Sequence, residues 1–144
     1  MRNIYLDTNI IIDFLTNRGD GANAATQLFN YYAHHNKKIN IAAISYTNIY
    51  YILNKYLNSH KKVIQSLAIL FELTETVDTT KLIIQQAIQS NFNDFEDAVQ
   101  YHSALSKSKI DVIVTRDRKG FKNSNIPVMD AEELWKLILQ ENKQ

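Results

Sequence analysis

The chain has 144 residues, 45% hydrophobic and 22% charged, with only three Gly and one Pro, a composition that excludes a linker-rich or disordered protein and predicts one domain over residues 1–144 with a frayed tail at 140–144. Its net charge is +1, which excludes a globally basic nucleic-acid binder, and its lack of cysteine excludes disulfides, zinc–thiolate centres and thiol nucleophiles, so any metal must take oxygen or imidazole ligands. No apolar run approaches the roughly 18 residues of a membrane span and no signal-like segment follows Met1-Arg2-Asn3, so the expectation is a cytoplasmic protein without a membrane partner.

Ile4-Tyr5-Leu6 is short, apolar and rich in β-formers, and it stops at Asp7-Thr8-Asn9, residue types that favour turns and helix caps. A strand feeding a helix is predicted there, since Ile10, Ile11, Phe14 and Leu15 recur at helical spacing. Asn17 to Gly21 breaks the pattern before a second helix carrying Ala24, Leu28, Phe29, Tyr31 and Tyr32. Ile39 to Ile44 reads as a buried strand, and Ser45 as the N-cap of a long helix with Tyr46, Ile49, Tyr50, Leu53 and Leu57 on one face, ended by Asn58-Ser59.

A helix over His60 to Leu70, an extended piece at Thr76-Val77 and a helix from about Thr80 to Gln89 follow. Asp94 opens another helix, whose apolar positions are Phe95, Ala98, Val99, His102 and Leu105. Asp111 to Thr115 is the clearest buried strand. Ile126-Pro127-Val128-Met129 makes a last one, with Pro where an edge tolerates it, and Asp130 caps a helix through Leu139. Alternation of short buried strands with helices predicts an α/β fold of three layers: a central parallel sheet of four to five strands with helices on both faces and functional groups at the strands' carboxyl ends.

Two strands run into an acid at that end, at Asp7 and at Asp117. Asp97, one turn into the helix begun at Asp94, can face the same crevice, as can Asp94 itself. Two like charges about 4 Å apart cost about 4 kcal/mol at an effective dielectric near 20, so such a cluster calls for a cation or for protonation. Oxygen donors alone favour Mg²⁺ or Mn²⁺. The alternative is that Asp7 and Asp117 are turn acids, Asp94 an N-cap and Asp97 a first-turn acid favoured by the helix dipole. Lys37-Lys38 and Lys61-Lys62 read as solvated surface, whereas Arg116, Arg118, Lys119 and Lys122 lie beside Asp117. The four histidines lack ligand spacing.

Leu6-Asp7-Thr8-Asn9-Ile10-Ile11-Ile12-Asp13 resembles the opening of PIN domains, Asp94-Phe95-Glu96-Asp97-Ala98-Val99-Gln100 resembles their third block, and Val114-Thr115-Arg116-Asp117 with Phe121 resembles their fourth. The family includes the VapC-like toxins of bacterial toxin–antitoxin pairs. The resemblance implies a Mg²⁺- or Mn²⁺-dependent ribonuclease in which Asp7, Asp97 and Asp117 are the catalytic metal ligands and Asp94 a further one. It implies that Asn9 and Thr115 orient those carboxylates, that Arg116, Arg118 and Lys119 contact the RNA backbone, and that cleavage leaves a 5′-phosphate and a 3′-hydroxyl. A small antitoxin and a homodimer are the partners it implies.

Many PIN nucleases carry a glutamate on the helix after the second strand, where this chain offers Asn48. An amide oxygen can bind metal or hold water, but it removes a negative charge and weakens the case for a second ion. Asn48 therefore keeps a second reading open, a catalytically weak or inactive PIN-fold module that binds RNA or protein. A phosphatase forming an aspartyl intermediate would want an acid two residues after Asp7, where Asn9 stands. Glu96 is expected to point off the Asp94 and Asp97 face into solvent.

Overall fold

The structure, a computed structural model, describes residues 1–143. Strand β1 (Ile4–Leu6) leads through Asp7 into α1 (Thr8–Thr16), and α2 (Ala22–His34) precedes β2 (Ile39–Ala42). Then come α3 (Ala43–Leu57), α4 (His60–Leu73), β3 (Thr74–Val77), α5 (Lys81–Ile88), α6 (Phe95–Ser106) and β4 (Val112–Val114). A one-turn 3₁₀ helix at Lys119–Phe121, β5 (Val128–Met129) and α7 (Ala131–Glu141) complete the chain.

All five strands are parallel, in the order β3-β2-β1-β4-β5. From β1 to β3 the chain moves one way across the sheet, and after β3 it returns to the far side of β1. Right-handed crossovers then put the connections before and after that reversal onto opposite faces, and α7, which follows the last strand, returns to the first of them. Ile4, Leu6, Ile39, Ile41, Val112 and Val114 accordingly pack with residues of α1, α2, α3, α4 and α7, while Tyr5, Ala42, Val77 and Ile113 face Tyr101 and Ala104 of α6 and Phe121. Both sides of the sheet are thus removed from water, at about 1.5–3 kcal/mol for each large aliphatic side chain buried. The reversal lies between β1 and β4, the position at which parallel sheets open a crevice at their carboxyl ends.

Several details differ from the sequence expectation. Strand β2 stops at Ala42, which is the N-cap of α3 without a side-chain cap bond, and Ser45 lies inside that helix, fully buried. Ala43-Ile44 is as apolar as a strand, so its local pattern does not mark the helix start. On α6, Phe95 and Leu105 are exposed, and the covered residues are Asp97, Ala98, Val99, Gln100, Tyr101, Ser103 and Ala104. The reason is that α6 packs on two sides, with Tyr101 and Ala104 against the sheet and Ala98 and Val99 against Ile83 and Ala87 of α5. Finally, Gln140 and Glu141, expected in the frayed tail, complete the last turn of α7, where Arg2 Nη1 donates to Glu141 Oε2 at 2.9 Å. Gln144 lies outside the described residues.

Candidate functional site

Residues Leu6 and Val114 are register partners in β1 and β4, so the next residues of the two strands, Asp7 and Thr115, emerge side by side. The Asp7 N–H donates to Val114 O at 3.0 Å, extending the ladder by one bond. Asp7 has extended backbone and caps α1, its Oδ1 accepting the Thr8 N–H at 2.7 Å. Its Oδ2 accepts the Thr115 hydroxyl at 2.7 Å and the Asn9 amide at 3.3 Å. The Thr115 oxygen in turn accepts the Asp117 N–H at 3.0 Å, and Asn9 Oδ1 accepts the Arg116 N–H at 3.2 Å. Asn9 and Thr115 therefore tie together the two turns that carry Asp7 and Asp117.

Asp94 caps α6 by accepting the Asp97 N–H at 3.0 Å, which fixes the first turn from which Asp97 projects. The turn after Asp117 folds back so that the Gly120 N–H donates to Asp117 Oδ1 at 3.1 Å. A Cβ placed on Gly120 would fall 2.2 Å from Asp97 Oδ2 and 2.7 Å from Asp117 Oδ2. Gly120 is thus the wall against which both carboxylates lie, and only a residue without a side chain leaves them that space. Asn93, Asp94, Asp97, Asp117, Lys119, Gly120, Lys122 and Asn123 line one cleft of about 280 Å³, and a wider concavity adjoins it at Lys122.

Asp7 is not among the residues lining that cleft; it is only 4% exposed and both its oxygens are turned to the donors just described. Among the described residues, no three His, Asp or Glu side chains are grouped closely enough to coordinate a single ion as they stand. The acids nevertheless share one electrostatic field. Burial pushes the Asp97 carboxyl up to about 7, with Asp7, Asp94, Asp117 and Glu96 adding to the rise. Burial also raises Asp7, a shift opposed by the Thr115 and Thr8 hydrogen bonds and reinforced by Asp117. Glu96, expected in solvent, is exposed, yet its carboxyl is raised by partial burial and then by Asp7 and Asp94, so it adds to the same negative field.

The basic residues divide. Arg116 Nε lies 3.2 Å from Asp13 Oδ2, and Arg118 Nη1 donates to Glu133 Oε1 at 2.7 Å. Among the described residues Lys119 and Lys122 form no ion pair, and both line the acidic cleft. Asn48 is half-buried on α3 and is not among the cleft residues.

A buried polar network beneath the acids carries no strong sequence signal. Gln100 Nε2 donates to Ser45 Oγ at 3.1 Å and to Thr8 Oγ1 at 3.3 Å, and Gln100 Oε1 accepts the Tyr5 hydroxyl. Thr8 Oγ1 also donates to Ser45 Oγ at 3.2 Å. These bonds fasten α6, one turn after Asp97, to the residue that follows Asp7. Only the mismatch of a Gln within an apolar stretch of α6 hints at it in the sequence.

A three-layer parallel sheet with acids gathered where its strand order reverses is the class of protein that this arrangement defines. The chain belongs to the PIN-domain family, whose model matches residues 3–119 and so spans Asp7, Asp94, Asp97 and Asp117. No curated protein matches the sequence. Solved structures share the fold. The DNA-bound VapBC of Salmonella typhimurium matches with a TM-score of 0.67 at 18% identity, over 91% of this chain and 99% of the other. VapBC2 of Rickettsia felis, bound to a fragment of its promoter, matches with a TM-score of 0.65 at 18% identity, over 88% of this chain and 98% of the other. VapC20 of Mycobacterium tuberculosis, a sarcin-ricin loop cleaving toxin, matches with a TM-score of 0.60 at 16% identity, over 77% and 87%.

Proposed function

We propose that this chain is a Mg²⁺- or Mn²⁺-dependent endoribonuclease of the cytoplasm and the toxin of a toxin–antitoxin pair, with RNA as substrate, a small antitoxin as partner and a homodimer as its assembly. One observation carries the catalytic reading. Asp97 Oδ2 and Asp117 Oδ2 share the space that a Cβ on Gly120 would occupy, in a cleft whose other charged members are Asp94 and two lysines that form no ion pair among the described residues. Carboxylates brought together in this way repel unless a cation or proton stands between them. The oxygen-only donor set suits a hard divalent ion, which Asp97 and Asp117 would hold with Asp94 at the rim; Asp7 would join them by turning an oxygen away from the donors that now hold it. The ion, when bound, supplies charge against the scissile phosphate and makes water a stronger nucleophile at neutral pH.

The chain's own groups do the rest. Thr115 and Asn9 hold the Asp7 carboxylate, Gly120 leaves Asp97 and Asp117 adjacent, and Lys119 and Lys122 neutralise backbone phosphates without reading sequence. Arg116 and Arg118 are engaged by Asp13 and Glu133, so the lysines carry the larger share of phosphate binding. The partner assignment rests on the family and on the shared fold with VapBC complexes.

The test is cleavage of a mixed pool of structured and single-stranded RNAs with Mg²⁺, Mn²⁺ or EDTA, beside Asp97→Asn. Metal-dependent cutting lost in the variant supports the reading. RNA bound but uncut under all conditions would instead favour the module that binds without cleaving, a reading supported by Asn48 and by the open spacing of the three acids.

A further inference from the structure

Asp13 is nearly buried, with a side chain only 8% exposed, and it is not among the acids that would hold the metal. Among the described residues its Oδ2 has no hydrogen-bond partner, and the one opposite charge beside it is Arg116, whose Nε lies 3.2 Å away and whose side chain is 56% exposed. Gly21 closes over the carboxylate, since a Cβ there would stand 3.2 Å from Oδ2. A carboxylate shielded from water and incompletely hydrogen-bonded costs stability. What it gains is a hold on one particular residue.

That residue stands between Thr115 and Asp117. Asn9 and Asp13 are one turn apart on the same face of α1, and together they grip Arg116 at two points. Asn9 Oδ1 takes its backbone N–H at 3.2 Å, and Asp13 takes its guanidinium. The turn is also held by the Thr115 hydroxyl and the Gly120 N–H, but those bonds act on its two ends, whereas the hold on the guanidinium anchors the side chain of its middle residue. The geometry points to Asp13 as a positioning residue: by clamping Arg116 onto α1 it sets the Thr115–Asp117 turn and so holds the Asp117 carboxylate opposite Asp97.

The inference concerns the order of a turn. Its consequence for metal binding rests on the function proposed above, so the two are tested separately. Amide hydrogen exchange, followed by NMR on the metal-free protein in EDTA, reads the turn directly. The Asp117 N–H is bonded to Thr115 Oγ1 and the Gly120 N–H to Asp117 Oδ1, so both report on it. In Asp13→Asn and Arg116→Gln these two amides should exchange about tenfold faster, those of β1 and β4 should keep their protection, and the double variant should be no faster than either single one. Unchanged exchange at Asp117 and Gly120 in Asp13→Asn would overturn the inference, as would faster exchange spread evenly through the sheet, which marks a merely structural role.

Calorimetric titration of the same samples with Mn²⁺ supplies the second readout. Asp13→Asn should bind about fivefold more weakly while melting in EDTA at or above the wild-type temperature, a split that general loosening of the fold does not produce. If wild type binds no Mn²⁺ at all, the metal reading fails, and the exchange data alone decide the role of Asp13.

Discussion

The Thr115 hydroxyl donates to Asp7 Oδ2 at 2.7 Å, and this contact joins the carboxyl ends of the two strands between which the sheet reverses direction. Because the same oxygen accepts the Asp117 N–H, removing it frees both acids at once. Thr115→Val keeps the shape but leaves Asp7 Oδ2 short of a donor and the Asp117 N–H without an acceptor. A loss of about 1–3 kcal/mol is expected by urea denaturation at pH 7, with Thr115→Ser close to wild type. Thr115→Val that matched wild type in both stability and Mn²⁺ affinity would show that the hydroxyl holds nothing in place.

The elevated Asp97 carboxyl makes metal-free stability depend on pH. Its folded value is about 7 against an ordinary 3.8, so between those limits the folded state binds more proton than the unfolded state. Stability in EDTA therefore falls as pH rises from about 4 towards 7. Asp97→Asn should flatten that slope and raise the melting temperature at pH 7. Melting curves across the range, with and without Mn²⁺, check this: the ion should oppose the loss because it binds the ionised form. A wild-type curve as flat as that of the variant would remove the basis for a shared field of acids.

Gly120 separates a site effect from a stability effect. Its φ is not in the left-handed region, so Ala suits the backbone and the melting temperature should change little, by less than about 1 kcal/mol in stability terms. Its Cβ, however, would occupy the space of Asp97 Oδ2 and Asp117 Oδ2. Gly120→Ala is expected to lower Mn²⁺ affinity and RNA cleavage by at least about tenfold, since misplacing reacting groups by an ångström carries a cost of that order or larger. Wild-type turnover in a folded Gly120→Ala protein would argue that the two carboxylates need not be adjacent.

Gln100 offers the opposite contrast. Fully buried, it bonds to Tyr5, Thr8 and Ser45, and Gln100→Leu would leave the Tyr5 hydroxyl without this acceptor and take one donor from the Thr8–Ser45 pair. Denaturant melts should show a loss of about 2–4 kcal/mol. A cost below about 1 kcal/mol would mean that the network is satisfied without it.

The lysines and arginines can be told apart by salt. Lys119 and Lys122 face the cleft and, among the described residues, have no carboxylate partner, whereas Arg118 is held by Glu133. Lys119→Ala with Lys122→Ala should reduce the slope of log affinity against log salt for a single-stranded RNA by about 1.4, the value for two lost phosphate contacts. Arg118→Ala should change it less. Binding measured from low to moderate salt discriminates the two, and an Arg118 effect equal to that of the paired lysines would reverse the assignment.

The sequence by itself determined the features that depend on near neighbours. Alternating short apolar runs and helical periodicities set out the parallel three-layer sheet, and Asp94 and Asp130 announced the helix starts that they cap. Asp7 could be placed directly after β1 because a strand's termination is local too, whereas β4 stops at Val114 and leaves Asp117 in the turn beyond it. Tertiary structure alone decided the rest. That Gly120 would seat Asp97 against Asp117, that Arg116 belongs to Asp13 and Arg118 to Glu133, and that Ser45 serves Gln100 rather than a helix cap all depend on elements far apart in the chain. Caps and periodicity reach only a turn or two along the backbone, whereas a pairing across the sheet is fixed by strand order and helix register, which emerge only when the whole core packs.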